Sequence, residues 1–221
     1  MGSGAVPAPF GGEATYADRS VALLRTMILD GRLSPGARLN EVHLSQALGI
    51  SRGPLREALR RLSSEGLIEI VAHRGAFVSS FSSGQLQELY QLRIALECHA
   101  ARLVAEADDR SGVEELASEL DGAARLLDRD DRPYPSDQDF HGTLLRLAGN
   151  RELLEAAASV TARISLARSR SASQPARARA ALEEHREILA ALSVGEADTA
   201  ARLLRAHLTA SLENAMSLLD A

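Results

Sequence analysis

The sequence predicts a mainly α protein, with an N-terminal winged helix-turn-helix and a C-terminal all-α helical bundle, and three observations carry that prediction. The chain is rich in Ala, Leu and Arg with only 3% aromatic residues, a mixture that favours helices. Apolar residues recur at helical spacing over most of its length after residue 15, interrupted by two short alternating runs, "LIEIV" and "AFVSS". Charge is unevenly divided. Nine Arg face six acids between Tyr16 and Phe81, a surplus of three, whereas sixteen Arg face twenty-three acids from Ser82 onward, a deficit of seven. The net −5 of the whole chain therefore hides a cationic N-terminal part.

At 221 residues the chain can bury a sizeable core and suits two domains. No apolar run approaches the roughly 20 residues needed to span a bilayer, and the N-terminus lacks the basic-then-apolar order of a signal peptide. The expected compartment is the cytoplasm, with no membrane partner. The single cysteine, Cys98, lies on a helical pattern, which excludes an internal disulfide and a Cys-rich metal site and reads as a buried or half-buried thiol. Every basic residue is Arg, whose planar fork suits phosphate and guanine.

Residues 1–15, made largely of Gly, Ala and Pro, have no hydrophobic period and are expected to form a flexible tail. A first helix covers Tyr16–Asp30, with Val21, Leu24 and Ile28 on one face, and "DGRLSPG" stops it. A second starts at Asn40, a good N-cap, and ends at Gly49. A third begins with Ser51 as N-cap, tolerates Pro54 in its first turn, turns Leu55, Ala58, Leu59 and Leu62 inward, and ends at Gly66. Its other side carries Arg52, Arg56 and Arg60 at successive i+4 steps, a cationic ridge suited to a phosphate backbone. The two alternating runs then form a hairpin with His73 and Arg74 at its tip. Three helices and a hairpin, over 16–80, are the order of a winged helix-turn-helix.

The stretch "LSPGARLNEVHLSQALGISRGPLREALRRLSSEGLIEIVAHRGAFV" resembles the DNA-binding domain of the GntR family of bacterial transcription regulators. The resemblance implies that Ser51, Arg52, Gly53 and Arg56 reach operator DNA, with Arg38 and Arg60 in the same contact set and His73, Arg74 and Gly75 entering the minor groove. Pro54 departs from the pattern, since it offers no side-chain donor.

"SFSSGQ" connects to the second part, 81–221, where Ser82 and Gln85 form a capping box for the next helix. Six helices follow: Ser83–Glu106, Gly112–Asp128, Ser136–Ala148, Arg151–Ser171, Ala176–Leu192 and Glu196–Leu219. Within the third of these, Asp137, His141, Leu144, Leu145 and Ala148 fall on one inward stripe, so a carboxylate and an imidazole point toward the core. His185 and His207 lie on similar stripes of two other helices. Singly, each reads as a hydrogen-bonded core histidine. Together, three imidazoles and Asp137 make a credible set of ligands for a divalent transition metal: zinc or nickel first, manganese or iron next. Asp139 is the competing carboxylate, but at i+2 from His141 it projects from another side of the helix.

"LRIALE", "DQDFH…AGN", "EHREIL" and the final "AHL" resemble the FadR subgroup of the family, whose ligand-binding domain is called FCD; six helices make this an FCD-like bundle of the shorter, VanR-like kind. The resemblance implies that Asp137, His141, His185 and His207 bind metal at the floor of an effector pocket. Arg93 lies on the apolar stripe Leu86, Leu89, Leu96, Ala100, where an unpaired guanidinium would be costly. It can pair with Glu97 one turn later or clamp the carboxylate of a small organic acid, and the resemblance favours the clamp, with Arg93 and Glu97 as the effector site. Arg163 is a weaker candidate for the same pocket. The expected function is a homodimeric, ligand-responsive regulator, a repressor by family habit, bound to a two-fold-related site. A small metalloenzyme is the rival, since the same four ligands could activate water. A metal that is purely structural, or is itself the signal, is a further alternative.

Overall fold

The computed structural model describes residues 14–109, 111–128, 138–168 and 175–219. The N-terminal domain comprises α1 (Tyr16–Leu29), β1 (Arg38–Leu39), α2 (Glu41–Leu48), α3 (Arg52–Ser64), β2 (Ile68–Val71) and β3 (Gly75–Val78). Thr15 starts α1 with a full capping box: its hydroxyl accepts from the Asp18 backbone N–H, and the Asp18 carboxylate accepts from the Thr15 N–H at 2.8 Å. Thr15, which the sequence reading placed in the tail, thus caps the first helix, and residues 1–13 of that tail lie outside the described ones. Asn40 caps α2 by accepting from the Val42 and His43 N–H groups, and Gly49 closes it in the left-handed conformation (φ 63°). Ser51 occupies the N-cap position of α3, but its side chain makes no capping hydrogen bond.

β2 and β3 pair antiparallel, Ile68 opposite Val78 and Val71 opposite Gly75, as the hairpin pattern predicts. The sequence reading missed β1, which adds a third strand beside β3 with Arg38 opposite Phe77. Two residues are too few to show an alternation. Leu24, Ile28, Leu55, Ala58, Leu62, Leu67 and Val78 fill the core beneath this sheet.

The second domain is α4 (Ser83–Glu106), α5 (Ser111–Leu127), α6 (Gln138–Leu147), α7 (Arg151–Arg168), α8 (Pro175–Ser193) and α9 (Ala197–Leu219). The Ser82–Gln85 capping box that begins α4 is formed as predicted. α4 is the spine, packed on α6, α7, α8 and α9. Cys98 on α4 is buried, and its thiol donates to the Ala201 carbonyl at 3.3 Å.

The two domains share a joint. Leu166 of α7 is fully buried in the N-terminal core, and Ala162 packs there too. Arg163 stacks over Phe81, its Cζ 5.5 Å from the ring centroid, and Phe81 belongs to both cores. The same Arg163 closes over Gly66. A Cβ on Gly66 would lie 2.7 Å from Arg163 Cδ, and φ there is +76°, so both space and backbone require glycine. Arg163 therefore serves the joint.

Candidate metal centre and nucleic-acid interface

Helical packing brings His141 (α6), His185 (α8) and His207 (α9) to one point in the core of the second domain, each at most 1% exposed. Their Nε2 atoms form a triangle with sides of 3.1, 3.2 and 3.3 Å. Phe140 stacks on His185 at 4.2 Å between ring centroids and belongs, with Leu144, Leu182, Ile188, Leu204 and Leu208, to the buried hydrophobic core of this domain.

Two carboxylates decide what this triangle can do. His141 Nδ1–H donates to Glu97 Oε2 at 2.6 Å, and His207 Nδ1–H donates to Glu184 Oε2 at 2.6 Å. An ionised carboxylate only accepts, so each of these imidazoles carries its proton on Nδ1 and turns a bare lone pair toward the centre. Two lone pairs 3.1 Å apart repel. His185 has one proton at most to offer the triangle, so hydrogen bonding cannot satisfy all three sides. A cation can: three nitrogens about 2.1 Å from one ion, at angles between octahedral and tetrahedral, lie about 3.0–3.4 Å apart. The three histidines can therefore hold a metal ion. Each carboxylate behind an imidazole fixes its tautomer and raises its basicity.

Electrostatics agrees with that assignment. Burial opposes the charge on Glu97, but Arg93 and His141 outweigh it and hold the carboxyl down at about 2. Burial, helped by the Arg93 charge, pushes His141 below the ordinary histidine range despite the opposing pull of Glu97. His141 is thus neutral near pH 7, the form that ligates metal. Glu184 is also held below its ordinary value: burial works against this, while His207 and a bidentate Arg177 at 2.9–3.0 Å outweigh it.

Asp137 lies outside the described residues, so the predicted set meets in space as its three histidines. Arg93 is 4% exposed and donates from Nε to Glu97 Oε1 at 2.6 Å. Glu97, expected beside Arg93 in the effector site, uses its oxygens on Arg93 and His141 and is fully buried. The sequence reading missed Glu184 and Arg177. Glu184 falls at i+3 from Ala181 and i−4 from Ile188, the edge of an inward stripe, and that was the available signal.

At the other end of the molecule, Arg38, Ser51, Arg52, Gly53, Arg56, Arg60, His73, Arg74 and Gly75 are all exposed. A cleft of about 280 Å³ between α3 and the hairpin brings Arg56 and Arg60 together with Gly75, and Arg38 Nε lies 3.8 Å from where a Gly75 Cβ would stand. His73 at the tip adopts φ +62°, unusual for a side-chain-bearing residue. One helix and one hairpin thus present a single cationic edge, the arrangement that reads a DNA groove.

A cationic reading edge on one domain and a metal-ready cluster in a second define a two-domain transcriptional regulator. Residues 17–78 match the family described as bacterial regulatory proteins, gntR family, and residues 88–210 match the FCD domain. The chain is 33% identical to the Nta operon transcriptional regulator of Aminobacter aminovorans, over 87% of this chain and 91% of that one. It is 28% identical to the HTH-type transcriptional repressor RspR of Escherichia coli strain K12, over 84% of this chain and 82% of that one. A GntR transcriptional regulator from Rhodococcus sp. RHA1 has a closely similar structure, with TM-score 0.75 at 28% identity, covering 91% of this chain and 97% of that one. The chain belongs to the GntR family of transcriptional regulators and carries an FCD domain. No described helix is long and apolar enough to cross a membrane.

Proposed function

We propose that the protein is a homodimeric repressor that leaves double-stranded operator DNA when a small organic acid enters its helical domain. A divalent transition metal, zinc or nickel first and manganese or iron next, is held by Asp137, His141, His185 and His207. The observation that carries this reading is the triangle of three buried Nε2 atoms, two of them with their protons held on the far side of the ring. When bound, the metal supplies Lewis-acid positions that a carboxylate fills. Arg93, one turn from Glu97 on α4, adds the positive charge that favours an anion there. Glu97 enters as the residue that orients His141.

The route to the DNA-reading edge runs along α4 and α7. Glu97 and Arg93 lie on the helix whose N-cap is Ser82, next to Phe81, and Phe81 is clamped by Arg163 of α7. A displacement of α4 by the acid would be felt at this joint, shifting the population of head orientations and so the spacing of the two heads. The test uses a duplex that the protein itself selects from a random-sequence library. Its affinity is measured with and without a panel of small carboxylic acids, for the metal-loaded and the chelated protein. Release by an acid from the loaded protein alone is expected. An equal response from chelated protein would leave the metal a structural role and overturn this mechanism.

A further inference from the structure

Arg56 on the reading helix does not stand free. Its Nε donates to Glu41 Oε2 at 2.7 Å, across from α3 to the first turn of α2. The two terminal nitrogens of the same guanidinium make no hydrogen bond among the described residues, and the side chain is 57% exposed. A carboxylate on a DNA-reading edge repels phosphate, so its position there is costly for binding. What it offers in return is geometry. Arginine can address a guanine edge end-on, through both terminal nitrogens, or side-on, through Nε and one of them. With Nε engaged by Glu41, the end-on fork remains.

We propose that Glu41 is a positioning residue for DNA reading: it holds Arg56 so that its terminal nitrogens form the bidentate fork that guanine O6 and N7 accept. Glu41 trades non-specific affinity for base discrimination. The cleft beside the pair supports this, because Glu41, Arg56 and Arg60 line it together with Ile70 and Gly75 of the hairpin. The inference rests on the DNA-reading role of α3.

The experiment takes the full chain and two probes, a duplex selected by the wild-type protein from a random library and a scrambled duplex of the same composition. Glu41→Ala, which removes the acceptor that engages Arg56 Nε, should lower the ratio of selected to scrambled affinity by about fivefold to a hundredfold, the discrimination one bidentate pair supplies. Scrambled-duplex binding should stay equal or tighten. The base positions whose preference flattens should be those that flatten in Arg56→Ala, and Glu41→Ala with Arg56→Ala should be no worse than Arg56→Ala alone. A role confined to tying α2 to α3 would instead lower Tm and weaken both duplexes equally, and that result overturns the proposal. A wild-type ratio in Glu41→Ala, with the ratio lost in Arg56→Ala, also overturns it and leaves α3 as the reader. If the wild type selects no sequence at all, the reading role of α3 falls and this proposal with it.

Discussion

Replacing Glu97 by Gln removes one charge and almost no volume, yet it should weaken metal binding by the three histidines. Glu97 Oε1 accepts from Arg93 Nε, and Oε2 accepts from His141 Nδ1, both at 2.6 Å and both buried. A glutamine has only one acceptor oxygen. If that oxygen faces Arg93, the amide NH2 faces His141 Nδ1, which must then accept; the imidazole proton moves to Nε2 and the lone pair aimed at the metal is lost. If the oxygen faces His141, NH2 meets the Arg93 N–H, a clash of two donors at a site 4% exposed or less. Either choice should lower metal affinity by about 10- to 100-fold, the usual effect of removing a carboxylate behind a ligating histidine. Breaking a buried ion pair costs about 3–5 kcal/mol, and the bonds that Gln retains place this case near 3. For a chain of this length that is a fall of roughly 6–12 °C in the Tm of the metal-free protein.

Glu184→Gln supplies the control. Its carboxylate makes the same 2.6 Å bond to His207 Nδ1, but the side chain is 33% exposed and water can replace what the amide loses. Metal affinity should fall toward the lower end of that range, about tenfold. Tm should shift by no more than the few degrees that a half-exposed ion pair is worth, about 1 kcal/mol or less. Competition with a chromogenic chelator for zinc or nickel reads the first quantity, and thermal melts of chelated protein read the second. Wild-type metal affinity in Glu97→Gln would refute the tautomer argument. Equal destabilisation by the two variants would refute the argument from burial.

Three other outcomes follow from the structure. Gly66→Ala forces a left-handed Ala against Arg163 and should lower Tm by roughly 2–8 °C from about 1–2 kcal/mol of backbone cost alone; the same change made in an Arg163→Ala background should cost less than it does in the wild type, and an equal cost would show that Arg163 is not the obstruction. His73→Gly should raise Tm by a few degrees, since His73 sits at φ +62°, while weakening the selected duplex through loss of the ring; a fall in Tm would contradict the strain. Asp18, held at about 2 instead of the usual 3.8 by the Thr15 hydroxyl and Arg61, stabilises the fold while ionised. That contribution is complete above the ordinary carboxylate value and disappears as pH falls toward 2, so Asp18→Asn should flatten the acid limb of the stability curve there. An unchanged limb would place the acid sensitivity elsewhere.

The helices were legible because each buries one stripe at a period no other structure shares, and the stripe on α3, Leu55, Ala58, Leu59 and Leu62, is the set the fold buries. Caps were legible where a side chain speaks for itself, as at Asn40 and Ser82, and missed at Thr15, where a Gly-rich stretch hid a Thr-x-x-Asp box. β1 was not legible: its order comes from pairing with β3 and not from its own two residues. Each of the three histidines could be read from its own helix, but the partners behind them could not. Glu184 sits one residue before His185, yet it serves His207 on another helix, a relation that exists only after α8 and α9 pack. Glu97 could be paired with Arg93 from spacing alone, whereas its second bond, to His141, crosses from α4 to α6.

That double use of Glu97 bears on how a signal could leave the centre. A carboxylate shared by Arg93 and His141 makes α4 part of the site's support, so an acid that competes for Arg93 must also alter what holds His141. The consequence cannot stay local, because α4 is packed on α6, α7, α8 and α9, while Tyr90, two turns toward the joint from Glu97, is fully buried and shares a 3.1 Å hydroxyl contact with Ser211 of α9. From there the chain reaches Phe81, on which the N-terminal core, α4 and Arg163 all converge. Under the proposed function an equilibrium transmitted along that line would be reciprocal: the factor by which an acid weakened operator binding would equal the factor by which operator weakened acid binding. The half-buried Glu184–Arg177 pair stands off this line, on α8, which is why its loss should change metal affinity and leave that factor untouched.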